Sequence, residues 1–206
     1  MGKKNINISR ILITLLFIFA SIQAFAANCP IKIGGLAPLS APGSVTGGEA
    51  MREAMLLAER DINAKGGVLG CDIEVVITDT EGLPEKAAAM MQKLITQDGV
   101  VAVGGGYHSS VGVASKDVAN AREIPVVFAE TWNDTITGDM QKYIFRIAPL
   151  SSWASGVIWK FAAQAPGVKS VVIVTENTDY GIPAAKECAE GLSKSGIASV
   201  TFGVDI

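Results

Sequence analysis

Val100–Ser110 reads VVAVGGGYHSS: a short β-branched run, three glycines, then two hydroxyls at the mouth of a helix. A strand passing through a glycine turn into a helix is the repeating unit of a parallel α/β sheet. The alternation continues in both directions. Upstream, Ile31–Leu36 and Ile73–Thr78 read as strands. Between them Thr46 starts a helix with Glu49 three positions on, the spacing of a capping box. Met51, Met55, Ala58 and Ile62 give that helix one apolar stripe, and Lys65-Gly66-Gly67 stops it. Pro84 opens the next helix, Glu85–Gln97, with Ala87, Met91, Leu94 and Ile95 inward and Gly99 at its end.

Downstream, Ser109–Arg122 is a helix and Pro125–Ala129 a strand. Ser151–Ala163 is a helix carrying Trp153, Val157 and Phe161. Ser170–Thr175 contains VVIV, a composition that predicts a strand buried on both faces. Pro183–Ser195 is a helix closed by Gly196, and Ile197–Val204 another strand. The expected fold is α/β, a doubly wound parallel sheet with right-handed crossovers and helices on both faces. The spacing loosens over Tyr143–Ser151, which is the expected domain boundary.

The first 26 residues stand apart. Lys3, Lys4 and Arg10 precede an apolar run, Ile11–Ile22, and Ala24-Phe25-Ala26 has the small-x-small form of a cleavage site. These are the parts of a secretory signal, and the run is shorter than the ~20 residues that span a bilayer. Export with cleavage after Ala26 is expected. The 206-residue chain has 17 basic and 20 acidic residues; losing three bases and no acid leaves a net charge of −6. An acidic protein is a poor partner for nucleic acid. Of three cysteines, Cys29 and Cys71 each precede a predicted strand. If those strands are neighbours, the two thiols lie at one end of the sheet and can form a disulfide. Cys188 is left over.

Ligands of open parallel sheets bind beyond the carboxyl ends of the strands. That rule selects Ala37–Gly48, Gly104–Ser110, Glu130–Asn133 and Glu176–Gly181. The three glycines suggest close approach of a ligand to the backbone, and free amides with Ser109 and Ser110 at a helix start suit a carboxylate. The same serines could simply cap their helix. Trp132 and Tyr180 each follow a strand end, where an aromatic face either lines a pocket or packs at its rim.

Catalytic patterns are missing from the sequence. There is no GxGxxG, GxxxxGK[ST] or GxSxG, and His108, the only histidine, sits beside serines on its own turn. One histidine and three scattered cysteines do not make a metal site. No enzyme activity, cofactor or metal is expected.

Several stretches are similar to the periplasmic leucine/isoleucine/valine-binding proteins of ABC transporters: Ile33-Gly-Gly-Leu-Ala-Pro-Leu-Ser, Asp61-Ile-Asn-Ala-Lys-Gly-Gly, Ser109-Ser-Val-Gly-Val-Ala-Ser, Ile124-Pro-Val-Val and Asp179-Tyr-Gly. The resemblance runs from about Ile31 to the end. It implies a type I periplasmic binding fold, two α/β lobes closing on a small solute and presenting it to a membrane permease. Residues 27–148 then correspond to a first lobe without its returning C-terminal segment, and 149–206 to the start of a second.

By the same resemblance, His108, Ser109 and Ser110 hold an amino-acid carboxylate. Glu130, Thr131 and Trp132 face the ligand's polar end through backbone and hydroxyl groups, and Tyr180 is the second-lobe aromatic. His108 replaces a common serine, Trp132 stands near a common threonine, and an aromatic of some relatives falls near Gly47. Family members are roughly twice the mature length of 180 residues, so a truncated frame or fragment that binds amino acids weakly or not at all is expected. The family's acid for the ligand ammonium would fall beyond Ile206. The implied solute is a branched-chain or similar amino acid, or a small amide-like molecule; a sensory receptor domain of the same fold is the alternative.

Overall fold

The computed structural model describes residues 29–205, so the expected export signal, residues 1–26, lies outside them. Five parallel strands form one sheet in the order β2-β1-β3-β4-β5: β1 Ile31–Ala37, β2 Ile73–Asp79, β3 Ala102–Gly105, β4 Val126–Phe128 and β5 Ile144–Arg146. A second sheet pairs β6 Ser170–Glu176 in parallel with β7 Ala198–Val204. The helices are α1 Val45–Asn63, α2 Pro84–Lys93, α3 Ser109–Ala121, the short α4 Thr135–Gly138, α5 Ser151–Gln164 and α6 Gly181–Lys194. The strand order of the first sheet reverses between β1 and β3, the switch point at which loops diverge and open a crevice.

The sheet core is built from the residues that alternate toward the helices. Leu36, Val103, Val126 and Phe128 are fully or almost fully buried beneath Met91 and Leu94 of the α2 segment and Val111 of α3. The second helix ends differently from expectation: α-geometry stops at Lys93 and Leu94–Asp98 widens into a π-turn, closed by Gly99 in the left-handed conformation. Leu94 is thereby turned fully inward.

Cys29 and Cys71 are joined by a disulfide, with Cα atoms 5.3 Å apart. β1 and β2 start in register, Ile31 opposite Ile73, which brings the residues just before them together. Closing a loop of this length stabilises the fold by about 4 kcal/mol in the chain-entropy account. Cys188 is a buried free thiol on α6, packed with Leu192 and Ile197.

Three expectations need correction. Thr46 and Glu49 make no capping box: the helix starts at Val45 after Ser44, no side chain caps it, and Glu49 pairs with Arg52 one turn on. Ala58 is exposed, and Met51 and Met55 are only half-buried, because α1 covers its sheet face loosely. The third correction concerns β6. Its VVIV run is only partly buried, and on one face alone, through Val171 and Ile173 against α5 and α6. Val172 and Val174 remain 64% and 70% exposed, beside Val200 and Phe202 of β7 on the same side. Trp153, Val157 and Phe161 of α5 are exposed as well. Apolar composition signals a preference for burial, but neighbours must be present to provide it.

Candidate ligand cleft

The carboxyl ends of β1, β3, β4 and β6 surround a cleft of about 500 Å³. Its walls come from the four loops that the strand-end rule selects: Pro42–Ser44, Tyr107–Ser110, Glu130 with Trp132, and Glu176 with Thr178 and Tyr180.

The loop after β1 is held by Asp79, the last residue of β2. Its carboxylate accepts the amides of Leu39 at 2.7 Å and Glu81 at 2.9 Å and the Ser40 hydroxyl. Burial works against that charge, but the Ser40 hydroxyl, the two amides and nearby Lys86 outweigh it and hold Asp79 below the usual carboxylate range. The fixed loop then presents the Ser44 amide to His108 Nε2 at 3.3 Å. An imidazole nitrogen that accepts a hydrogen bond carries no proton, so this pattern assigns the proton to Nδ1. Nδ1 is buried and has no partner among the described residues. Burial pushes the His108 pKa down, against the opposing pull of Glu176. The accepted hydrogen bond and the burial both favour the neutral ring.

The start of α3 is the positive end of the cleft. His108 is extended at the N-cap position, and its side chain makes no capping bond to the helix. First-turn amides have no helical carbonyl before them, so Ser109 and Ser110, which line the cleft, bring free donors to it, while Val111 behind them is fully buried. Ser110 is half-buried and lines the cleft. Ser109 also borders it but is only 4% exposed. Its Oγ accepts the amides of Trp132 and Asn133, each at 3.1 Å, so this hydroxyl braces the loop after β4 and has only its hydrogen left for a ligand.

The glycine run works differently from its sequence reading. Gly105 belongs to β3, has φ +99°, and a Cβ there would lie 2.4 Å from the Leu36 carbonyl oxygen. A Cβ on Gly106 would meet the Phe128 ring at 2.9 Å. These two glycines let strands and core pack closely; they do not open the backbone to a ligand.

Thr131 is wholly buried and does not border the cleft. Its methyl group lies against α3 at Gly112, and its Oγ1 has no partner among the described residues. The inference that this hydroxyl faces the ligand is therefore corrected: it sits in the packing beneath. Trp132 and Tyr180 do meet across the cleft, edge to face, with ring centroids 6.4 Å apart at 89°. The Trp132 indole N–H donates to Glu130 at 2.9 Å. Loop 132–134 also receives the start of α5: the Ser151 amide and hydroxyl both bond the Trp132 carbonyl, and Arg146 reaches the carbonyls of Trp132 and Asn133.

Tyr107, Ser44, Glu176 and Thr178 line the cleft and were not singled out by sequence reasoning, although each lies in or beside a selected stretch. The Tyr107 ring, from the loop before α3, lies over Gly47 so closely that a Cβ there would be 2.3 Å from Cε2. Thr178 caps α6, its hydroxyl oxygen accepting the amides of Tyr180 and Gly181 while donating to Glu176 at 2.7 Å. Among the described residues no group of three His, Cys, Asp or Glu could hold a metal ion.

In doubly wound sheets the cleft beyond the strand ends is where small ligands are held. Residues 30–205 match the model of the periplasmic binding protein family, and the chain belongs to that family. It is 29% identical over 184 residues to the leucine-, isoleucine-, valine-, threonine- and alanine-binding protein of Pseudomonas aeruginosa, covering 89% of this chain and 48% of that one. Among solved structures, the branched-chain amino acid transporter substrate-binding protein LivJ of Streptococcus pneumoniae, in complex with isoleucine, superposes with a TM-score of 0.72 at 30% identity, over 84% of this chain and 50% of that one. A solute-binding protein of an ABC transporter from R. palustris, in complex with benzoate, gives 0.74 at 26% identity, over 85% and 48%. The fold is that of these periplasmic solute-binding proteins. The chain spans about half the length of the curated relatives it matches.

Proposed function

We propose that this protein is the exported, non-enzymatic solute-binding component of an ABC importer, taking a branched-chain or similar amino acid or a small amide-like solute. Residues 27–148 act as one lobe and 149–206 as the start of the other, with the solute between them and a membrane permease as the partner. The observation that carries this reading is the first turn of α3. Its amides open into a cleft of about 500 Å³ that the Trp132–Tyr180 ring pair also lines, so the helix start suits a carboxylate and the rings an apolar side chain. The relatives named for amino acids and the one holding benzoate share the carboxylate.

The test is a ¹H–¹⁵N NMR titration with millimolar L-leucine, L-alanine, L-glutamine and benzoate. The expected result is movement of the Ser109, Ser110 and Val111 amides and the Trp132 indole signal with at least one of them. If none of these signals moves with any ligand, the cleft is not a solute site.

A further inference from the structure

Trp153, Val157, Ile158 and Phe161 of α5 turn away from the molecule, each between 61% and 76% exposed. Trp153, Val157 and Phe161 stand four residues apart and so form one stripe along two turns of the helix. We propose that this stripe is a dimer interface. A second copy of this chain lays its own α5 antiparallel against it, with the two-fold axis crossing the contact at Val157. The inference is independent of the solute reading of the cleft.

The other side of α5 is already held by α6. The Ser155 hydroxyl donates to the Ala184 carbonyl at 3.0 Å, and the Trp159 indole lies over Gly191, where a Cβ would come within 2.4 Å of the ring. The stripe therefore cannot turn inward and is presented on a fixed helix. On its α6 flank a shallow depression of about 460 Å³ opens, walled by Trp153, Gly156, Trp159, Lys160 and Glu187.

Two features select a second copy as the occupant. The first is shape. Exposed Phe161 and the depression beside Trp153 are eight residues apart on α5, about 12 Å along its axis. An antiparallel copy reverses that order, so Phe161 of each chain meets the depression of the other. The second is charge. Lys160 and Glu187 both lie on the α6 flank, and neither has an ion pair among the described residues. The Lys160 ammonium rests 5.4 Å from the centre of the Trp159 ring. An antiparallel two-fold keeps both α6 flanks on one side of the contact and brings Lys160 to the partner's Glu187, twice. A parallel pair would put these charges on opposite sides.

Burying the four side chains removes on the order of 500 Å² from each copy, about 1,000 Å² in all. That is the low end for a specific contact, so the dimer is weak and dissociates in the range of tens to hundreds of micromolar.

The experiment is sedimentation velocity of the whole chain over a micromolar-to-millimolar series, with a thermal melt on each variant. The wild type should show a monomer–dimer equilibrium. Phe161→Glu should weaken it at least about tenfold with an unchanged melt, since that side chain is exposed. Lys160→Glu should weaken it severalfold, and Lys160→Glu with Glu187→Lys should restore it by rebuilding both ion pairs. Val157→Cys should yield a covalent dimer on mild oxidation, the wild type with its buried Cys188 being the blank. A wild type that stays monomeric throughout overturns the proposal, whatever the variants do. A dimer that persists in Phe161→Glu also overturns it; if that dimer is lost in Val174→Glu with Phe202→Glu, the contact lies on the β6–β7 face. Failure of the charge swap to restore association, or of Val157→Cys to cross-link, overturns the antiparallel pairing.

Discussion

The Ser109 hydroxyl oxygen lies 3.1 Å from the Trp132 amide nitrogen, and the Asn133 amide stands at the same distance. One side chain at the start of α3 thus fixes the backbone of the loop that carries the cleft's tryptophan. Removing an acceptor from two amides strands buried donors, at about 1–3 kcal/mol. Ser109→Ala should lower the unfolding free energy measured in urea by that much, with a lower midpoint, whereas Ser110→Ala should stay within about 0.5 kcal/mol of wild type. Equal midpoints for the two variants would show that the bracing bonds carry no stability.

Adjacent glycines in the same turn should respond in opposite ways to alanine. At Gly104 nothing lies within 4 Å of an added Cβ and the backbone is ordinary, so Gly104→Ala should fold with little change. At Gly105 the added carbon would stand 2.4 Å from the Leu36 oxygen on a backbone at φ +99°. Strain and collision together should cost about 3 kcal/mol or more, enough to lower the yield of folded protein. Circular dichroism melts of the two variants check this, and a Gly105→Ala melt like the wild type would refute it.

His108 links stability to pH. Burial lowers its pKa in the fold, so the unfolded chain binds the proton more readily. Stability should fall as pH drops from the unfolded value of about 6.5 through the lower folded one, since the unfolded state takes up more protons in that window. His108→Gln removes that titration and should flatten the slope of melting temperature between pH 7 and the folded pKa. Parallel slopes for wild type and variant would mean that His108 is not charged at a cost.

Val172, Val174, Val200 and Phe202 form an apolar face that the described residues leave open. Such a face binds hydrophobic dyes and promotes association. Anilinonaphthalene sulfonate should fluoresce with the folded chain, and Val174→Glu with Phe202→Glu should reduce both the fluorescence and the sedimentation coefficient at high concentration. Dye binding that is unchanged by the double variant would place the exposed surface elsewhere.

Much of the fold is legible along the chain because its signals are local. Most strands and helices from Ile31 to Val204 follow from β-branched runs, helical stripes and glycine stops, though β5 and the short α4 carry no such signal and were not expected; the pairing of Cys29 with Cys71 needs only the adjacency of β1 and β2. The four cleft-bearing stretches follow from one topological rule about strand ends. What the linear order leaves undecided is direction. Ser109 and Thr131 look like ligand hydroxyls in sequence, yet one oxygen bonds two amides and the other is sealed under α3. Tyr107 reaches across to Gly47, and Glu176 faces His108 from a different sheet. Burial of the VVIV run likewise depended on which neighbours were present to cover it. Propensity acts over a few residues, so the sequence sets where strands, helices and loops occur. A side chain's role depends on which distant groups complete its hydrogen bonds and exclude water, and that exists only once the chain has packed.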